Sequence, residues 1–109
     1  MSKHPIIIGG CGRSGTTLLL SLLSSHPKIY AIPEETGAFS LHQYTMDNPG
    51  DGPVNMDVIY RYLADAGNDI LQYSRWCEKT PMNVHVVDRL VQHFGSQLRF
   101  IHMVRDGRD

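Results

Sequence analysis

A glycine-rich segment, GGCGRSG at residues 9–15, lies between a run of three isoleucines and a leucine-rich stretch. The isoleucines do not alternate with polar residues, which is typical of a strand buried on both faces of a parallel sheet. Residues 16–25 hold five leucines and predict a helix that is apolar around most of its circumference and therefore buried. A strand, a glycine loop and a helix in this order predict an anion-binding turn, because the backbone N–H groups at a helix N-terminus bind phosphate.

The rest of the chain predicts further alternation of strands and helices. The predicted elements are, in chain order, a strand over residues 28–32, a long loop over 33–55, a helix over 56–73, a helix over 81–94 and a strand over 99–104. Thr80 and Pro81 are typical of the N-cap and the first position of a helix, and Gly95 is typical of a helix end. This order predicts an α/β fold with a parallel sheet, here with three strands.

The composition is that of a globular protein, with 41% hydrophobic residues, 19% charged residues and a net charge of -1. This balance gives no general attraction to nucleic acid or to an anionic membrane surface, so we expect neither as a partner. The two cysteines form no CxxC pair and no zinc-spaced Cys/His cluster, so we expect no metal site. The sequence contains no recognisable signal peptide or membrane span, which favours a cytoplasmic protein.

The glycine loop departs from the nucleotide-hydrolase pattern GxxxxGK[ST] at one position. Gly10, Gly15 and Thr17 fit the pattern, but Thr16 stands where a lysine normally reaches the β- and γ-phosphates. The threonine argues against an ATPase or an ordinary kinase. A kinase of unusual type, with Asp106 as its metal-holding aspartate, and a non-catalytic nucleotide-binding module remain as alternatives to an enzyme of another class.

Four motifs resemble those of sulfotransferases that use 3′-phosphoadenosine 5′-phosphosulfate. GRSGTTL at residues 12–18 resembles their 5′-phosphosulfate loop, usually written P-[RK]-S-G-T-T, with a glycine in place of the proline. HP at residues 26–27 with EET at residues 34–36, and EKTP at residues 78–81, are similar to stretches of the protein-tyrosine sulfotransferases and their bacterial relatives. FIHMVRDGR at residues 100–108 resembles the strand and turn whose first arginine binds the 3′-phosphate of the donor.

The resemblance implies a fold like that of P-loop-containing nucleoside triphosphate hydrolases, a three-layer α/β sandwich with a parallel sheet. It implies transfer of a sulfuryl group from 3′-phosphoadenosine 5′-phosphosulfate, without a metal, to an acceptor hydroxyl, tyrosine among the candidates, or to an amine. The implied acceptor is a small molecule, a sugar or a peptide. The donor-binding residues that the resemblance implies are Gly12, Arg13, Ser14, Gly15, Thr16, Thr17 and Arg105.

The resemblance also implies three catalytic residues. Arg13 would contact the sulfuryl or 5′-phosphate oxygens, Glu35 would be the general base, and Lys79 would stabilise charge on the leaving phosphate. Glu34 adjoins Glu35 and remains an alternative base. Each of these side chains is also compatible with an ordinary place on the protein surface.

The sequence ends at Asp109, shortly after the apolar stretch at residues 100–104. A domain seldom ends at the tip of a buried strand, so we expect residues 1–109 to be the N-terminal part of a single sulfotransferase domain, incomplete at the C-terminus. Because a parallel sheet needs both faces covered and its edges protected, we expect this chain to be inactive and marginally stable by itself.

Overall fold

The computed structural model describes residues 4–10, 16–39, 54 and 56–104. Within them the strands are β1 (His4–Gly10), β2 (Ile29–Ala31), β3 (Arg75–Lys79) and β4 (Arg99–Met103). The α-helices in the same ranges are α1 (Thr16–Ser24), α2 (Asp57–Asp65) and α3 (Val87–Phe94), and 3₁₀ helices lie at Gly67–Gln72, Pro81–Val86 and Gly95–Gln97. Strands and helices alternate along the chain, so the predicted α/β class is confirmed.

The described strands form one parallel sheet in the order β2-β3-β1-β4. β1 has a neighbour on each side, with Ile8 opposite Lys79 of β3 and Gly10 opposite Met103 of β4. β2 pairs with the other side of β3, where Ala31 lies opposite Cys77. The isoleucine run is therefore central in the sheet, which is the position that its unalternated pattern predicts.

Successive residues of β1 pack on opposite faces of the sheet. Ile7 packs with Leu90 of α3 and Ile59 of α2 in the larger apolar cluster. Ile6 and Ile8 face the other way, into a cluster that the leucines of α1 cover. Helices thus cover both faces of the sheet, which produces the three-layer sandwich.

The segments that follow the adjacent strands β1 and β3 leave the sheet toward opposite faces. α1 follows β1 on one face, and the 3₁₀ helix and α3 follow β3 on the other. Such a divergence opens a crevice outside the carboxyl ends of the two strands, where open α/β sheets bind their ligands. Gly10 ends β1 and Lys79 ends β3, so both residues lie at this crevice.

β3 corrects the prediction of three strands. The sequence predicts no strand at residues 75–79, whereas the structure inserts β3 between β2 and β1. The sequence of this strand, RWCEK, has three charged residues and no apolar run, so it lacks the local pattern of a strand. Residues 76–79 are nevertheless buried, and Thr36 and Glu35 of a distant segment bond to the side chains of Glu78 and Lys79.

Two helical predictions also need correction. α2 ends at Asp65, and the 3₁₀ helix Gly67–Gln72 replaces its predicted continuation to residue 73. Gly67, the first residue of this 3₁₀ helix, has a φ of 62°, which is incompatible with a continuous α-helix through this position. The predicted helix over residues 81–94 begins as 3₁₀ and becomes α-helical only at Val87.

The leucines of α1 are less buried than their pattern predicts. Leu19, Leu20 and Leu23 pack against the sheet. Leu18 and Leu22 lie on the opposite side of the helix and are 66% and 61% exposed. α1 is therefore buried along one side only, because the sheet is its only neighbour among the described elements of that layer.

Candidate functional site

β1 ends at Gly10, and residues 11–15 of the glycine loop lie outside the described residues. Gly10 has a φ of 138°, a backbone conformation that residues with side chains rarely adopt. A Cβ atom at this position would overlap the carbonyl oxygen of Met103 in β4. The chain therefore needs a glycine where it leaves the sheet beside β4.

The predicted donor-binding residues are only partly visible. Thr16 and Thr17 begin α1, so their backbone N–H groups belong to the end of the helix that attracts anions. Gly12, Arg13, Ser14 and Gly15 lie outside the described residues, and so does Arg105. The donor-binding roles of all seven residues remain predictions.

The structure brings the predicted base and the predicted lysine together. Lys79 Nζ donates a hydrogen bond to Glu35 Oε1 at 2.6 Å, and the two side chains form an ion pair. Lys79 is buried at the end of β3, whereas Glu35 is exposed in the segment that follows β2. Since β2 pairs with β3, the segment after β2 passes beside the end of β3. A cation held against a carboxylate can bind an anion and leave the carboxylate in place to accept a proton.

A second contact joins the same two segments through Glu78. This side chain is fully buried, and its Oε1 accepts hydrogen bonds from the backbone N–H and the hydroxyl of Thr36, at 3.2 and 2.9 Å. The Thr80 hydroxyl donates to the same oxygen, and the Asn83 side-chain amide donates to Oε2 at 2.7 Å. Two consecutive residues after β2 thus contact two consecutive residues of β3, Glu35 with Lys79 and Thr36 with Glu78.

Thr80 lies where the sequence predicts a helix cap, and its hydrogen bonds connect β1, β3 and the segment after β2. Within the described residues it makes no side-chain hydrogen bond to the first turn of Pro81–Val86. Its hydroxyl donates to Glu78 and accepts the backbone N–H of Gly37 at 3.2 Å, while its own N–H donates to the Ile8 carbonyl of β1 at 3.2 Å. Thr80 thus occupies the predicted N-cap position, followed by Pro81 at the start of the 3₁₀ helix, but its hydroxyl bonds to the buried carboxylate and not to an N–H group of the first turn.

Glu34, the alternative base, has a different partner from Glu35. The hydroxyl of Tyr62 in α2 donates to Glu34 Oε2 at 3.1 Å. This hydrogen bond raises the pKa of the Tyr62 phenol, because it stabilises the protonated hydroxyl. The two neighbouring carboxylates are thus distinguished by their contacts, one with a tyrosine of α2 and the other with a lysine of β3.

Sequence reasoning assigned no role to three residues that organise this site. Glu78 and Thr36 belong to the motifs that carry the resemblance, and Asn83 lies in a predicted helix. Apart from its motif, the signal for Glu78 is its position directly after Trp76 and Cys77, since a carboxylate next to buried residues needs hydrogen-bond donors. Nothing in the local pattern identifies those donors.

Other features of the described part of the chain bear on its chemistry. No group of three or more histidine, cysteine or carboxylate side chains in these ranges is arranged to hold a metal ion. No helix in the described ranges is long and apolar enough to cross a membrane. At the carboxyl ends of β1 and β3, the described residues include the Lys79 ammonium, the Glu35 carboxylate and the backbone N–H groups that begin α1.

Comparison with known proteins places the chain in one family. A family model described as the sulfotransferase family matches residues 5–109, which is nearly the whole sequence. No curated protein matches the sequence significantly. The match includes all of β1 except His4, the glycine loop and the segment of β3 that carries Lys79.

Proposed function

Because the chain belongs to the sulfotransferase family, we propose that it takes part in the transfer of a sulfuryl group from 3′-phosphoadenosine 5′-phosphosulfate to a hydroxyl or amine of an acceptor. The family has the fold of P-loop nucleoside triphosphate hydrolases, which agrees with the parallel sheet and its helical layers. The observation that carries the proposal is the pair Lys79–Glu35 at the crevice where β1 and β3 end. The glycine loop begins at the same edge of the sheet.

The donor is a polyanion whose sulfuryl group is joined to the 5′-phosphate by an oxygen that leaves with the phosphate. The described residues fit such a ligand, since the first turn of α1 and the Lys79 ammonium offer positive charge at the carboxyl edge of the sheet. Residues 12–17 hold the 5′ end of the donor in this proposal, and Arg13 contacts the sulfuryl or phosphate oxygens. Arg105, two residues beyond β4, binds the 3′-phosphate with its planar guanidinium.

Lys79 stabilises the negative charge that develops on the leaving phosphate oxygen. Its side chain is only 10% exposed, so its ammonium is held in place before the donor binds. A fixed cation in a water-poor site stabilises developing charge more than one in water, because no solvent has to reorganise around it. The ion pair with Glu35 compensates the cost of keeping this ammonium in a buried position.

Glu35 accepts the proton of the acceptor in this proposal. As the acceptor oxygen or nitrogen forms a bond to sulfur, the bond between sulfur and the bridging oxygen breaks, and its electron pair stays on the phosphate. The acceptor's proton passes to the Glu35 carboxylate, which is half exposed and so open to an incoming acceptor. Glu34 is less suited to this role, since its Oε2 accepts the Tyr62 hydroxyl instead of contacting the lysine.

Donor choice tests the proposal directly. We expect the full-length enzyme, in which the kinetic variants below are also made, to bind adenosine 3′,5′-bisphosphate, the desulfated donor, more tightly than ATP and without Mg²⁺. The reason is that Thr16 replaces the lysine that reaches the β- and γ-phosphates of ATP. Isothermal titration calorimetry with each nucleotide, with and without Mg²⁺, measures both affinities. Tight, Mg²⁺-dependent ATP binding without bisphosphate binding would contradict the proposal and favour a kinase.

The acceptor is identified by mass spectrometry of reaction mixtures. Phenols, sugars, amines and tyrosine peptides are offered separately with the donor, and a sulfated product gains the mass of one SO₃ group. A sulfated product from one of these classes identifies that class as the acceptor. Nucleotide binding without transfer to any of these classes would instead favour a non-catalytic module.

A further inference from the structure

Glu78 is a buried carboxylate for which the proposed reaction has no direct use. It is fully buried, and every hydrogen bond that the structure describes at its two oxygens is donated to it. A carboxylate in such a position is costly unless donors compensate it, and the removal of its charge or of its donors is expected to disturb what surrounds it. The donors come from two separate parts of the chain, Thr36 after β2 and the segment of residues 80 and 83 after β3.

Glu78 does not share a face of the sheet with the lysine beside it. Successive side chains of a strand point to opposite faces, so Glu78 projects toward the layer of α3 and Lys79 toward the layer of α1. The same alternation appears in the segment after β2, where Thr36 bonds to Glu78 and Glu35 bonds to Lys79. Glu78 therefore makes no described contact with Glu35, and its hydrogen bonds reach the segment of the base at Thr36, the residue next to it.

The bonds to Thr36 fix its backbone as well as its side chain. Glu78 Oε1 accepts both the N–H and the hydroxyl of Thr36, and the hydroxyl in turn accepts the N–H of Ala38 at 3.1 Å. The next residue, Gly37, donates its N–H to Thr80, whose hydroxyl also bonds to Glu78. Three successive N–H groups of the segment after Glu35 are thus attached directly or indirectly to one buried carboxylate.

We propose that Glu78 is a positioning residue for sulfuryl transfer, which holds the segment of residues 35–38 so that the Glu35 carboxylate stays beside the Lys79 ammonium. The inference rests on the proposed function, since it assumes that Glu35 is the base. Glu78 acts without touching donor or acceptor, and Thr36 transmits its effect to Glu35. A base displaced by even about 1 Å loses much of its effect on the reaction rate.

The amide of glutamine does not replace this carboxylate. Asn83 Nδ2 donates both to Glu78 Oε2 and to the Ile8 carbonyl of β1, so its orientation is set by two acceptors. In Glu78→Gln, an amide nitrogen at the Oε2 position would face that Nδ2, and one at the Oε1 position would face the donors from Thr36 and Thr80. In either orientation the amide N–H group faces another hydrogen-bond donor, so the hydrogen bonds of the side chain to Thr36 or to Asn83 are lost.

The first experiment compares turnover in Glu78→Gln and in Thr36→Val, with Thr36→Ser as the matched control. We expect a loss of kcat on the order of 10-fold or more in the first two variants, because a misplaced base reduces general-base catalysis. Affinity for adenosine 3′,5′-bisphosphate should change less than about 2-fold, and Thr36→Ser should restore most of the activity. Thr36→Val replaces a hydroxyl with a methyl group of similar size, so it tests the inference even if Glu78→Gln folds poorly.

A double-mutant cycle separates positioning of the base from general stability. If Glu78 acts through Glu35, adding Thr36→Val to Glu35→Gln should cause no further loss of kcat, because the base is already absent. If the loss of kcat in the double variant equalled the product of the losses in Thr36→Val and Glu35→Gln, the inference would be overturned. Normal kcat in both Thr36→Val and Glu78→Gln would also overturn it. If Glu35→Gln itself turned over normally, the base assignment in the proposed function would be lost instead.

Amide hydrogen exchange gives a readout that does not depend on activity. The N–H groups of Thr36 and Gly37 should exchange at least about 10-fold faster in Glu78→Gln, while those of β1 should stay protected. Equal protection of Thr36 and Gly37 in the wild-type protein and the variant would show that Glu78 does not hold the segment. That result would overturn the inference even if sulfuryl transfer by the enzyme were established.

Discussion

Lys79 Nζ lies 2.6 Å from Glu35 Oε1, although the lysine side chain is 10% exposed and the glutamate side chain is 50% exposed. The cation is therefore fixed by the fold, and the carboxylate reaches it from a loop. This difference suits the two proposed roles, because the leaving group needs a charge that is already in place and the acceptor needs a base that it can approach. An ordinary surface ion pair would leave both side chains in solvent.

The first prediction concerns the base. Glu35→Gln should lower kcat on the order of 10²-fold or more, because glutamine cannot accept the acceptor's proton. Affinity for the donor product should change little, since the carboxylate is proposed to touch the acceptor. Steady-state kinetics together with calorimetry measure both quantities.

Glu34→Gln is the matched control for Glu35→Gln, because it makes the same chemical change one residue away. It should weaken only the contact with Tyr62 and leave turnover within about 3-fold of the wild-type value. The opposite result, a large loss in Glu34→Gln and none in Glu35→Gln, would move the base by one residue.

The second prediction concerns the lysine. Lys79→Met retains most of the side chain's apolar volume but removes its charge, and kcat should fall on the order of 10²- to 10³-fold, the scale of losing one electrostatic group. Lys28→Met changes an exposed lysine directly before β2 and should leave kcat unaltered. Steady-state assays at saturating donor separate this effect from donor binding. Equal kcat in the two variants would exclude Lys79 from the reaction.

β1 and the turn to α1 can be predicted from the sequence because their signals are local. The isoleucine run predicts β1 as a central parallel strand, and the structure confirms this position between β3 and β4. The glycine loop predicts the turn from β1 to α1 at the correct place, since α1 begins at Thr16. Both features depend only on neighbouring residues.

β3 was missed because its reasons for being a strand are distant in the sequence. Glu78 accepts two of its described hydrogen bonds from Thr36, 42 positions away, and Lys79 has its partner in Glu35, 44 positions away. A local pattern counts these charges as evidence for an exposed loop, whereas the fold compensates them in its interior. The resemblance indicated Glu35 and Lys79 separately, but only the structure brings them into contact.

The third prediction concerns Gly10. Gly10→Ala should destabilise the protein by about 3 kcal/mol or more, because the added Cβ meets a backbone carbonyl of β4 that cannot move independently of the sheet. Gly67→Ala is the control: its φ of 62° is also positive, but nothing lies within 4 Å of an added Cβ. It should cost only about 1 kcal/mol, the usual penalty of the left-handed conformation.

Urea denaturation measures the free energy of unfolding of both glycine variants. The fluorescence of Trp76, the only tryptophan in the sequence, reports the transition. Trp76 is buried against Phe94 of α3, so its emission should change when the sheet and that layer separate. Equal destabilisation by Gly10→Ala and Gly67→Ala would show that the contact with β4 adds nothing to the cost of the positive φ.

The last prediction concerns Cys77, a free thiol buried in β3. Burial, and to a smaller extent the charge of Glu78, raises the pKa of this thiol from 9.0 to about 12. The unfolded chain therefore loses the thiol proton before the folded protein does, so the free energy of unfolding should fall between pH 9 and 12, by at most roughly 1.4 kcal/mol per pH unit. In Cys77→Ala this part of the decrease should be absent, as measured by urea denaturation at pH 8, 9 and 10.

Iodoacetamide at pH 8 should also leave Cys77 unmodified in a Cys11→Ala background until urea is added, because the thiolate is the reactive form. Rapid alkylation of Cys77 without urea, or an unchanged pH dependence in Cys77→Ala, would contradict the buried and uncharged state of this thiol.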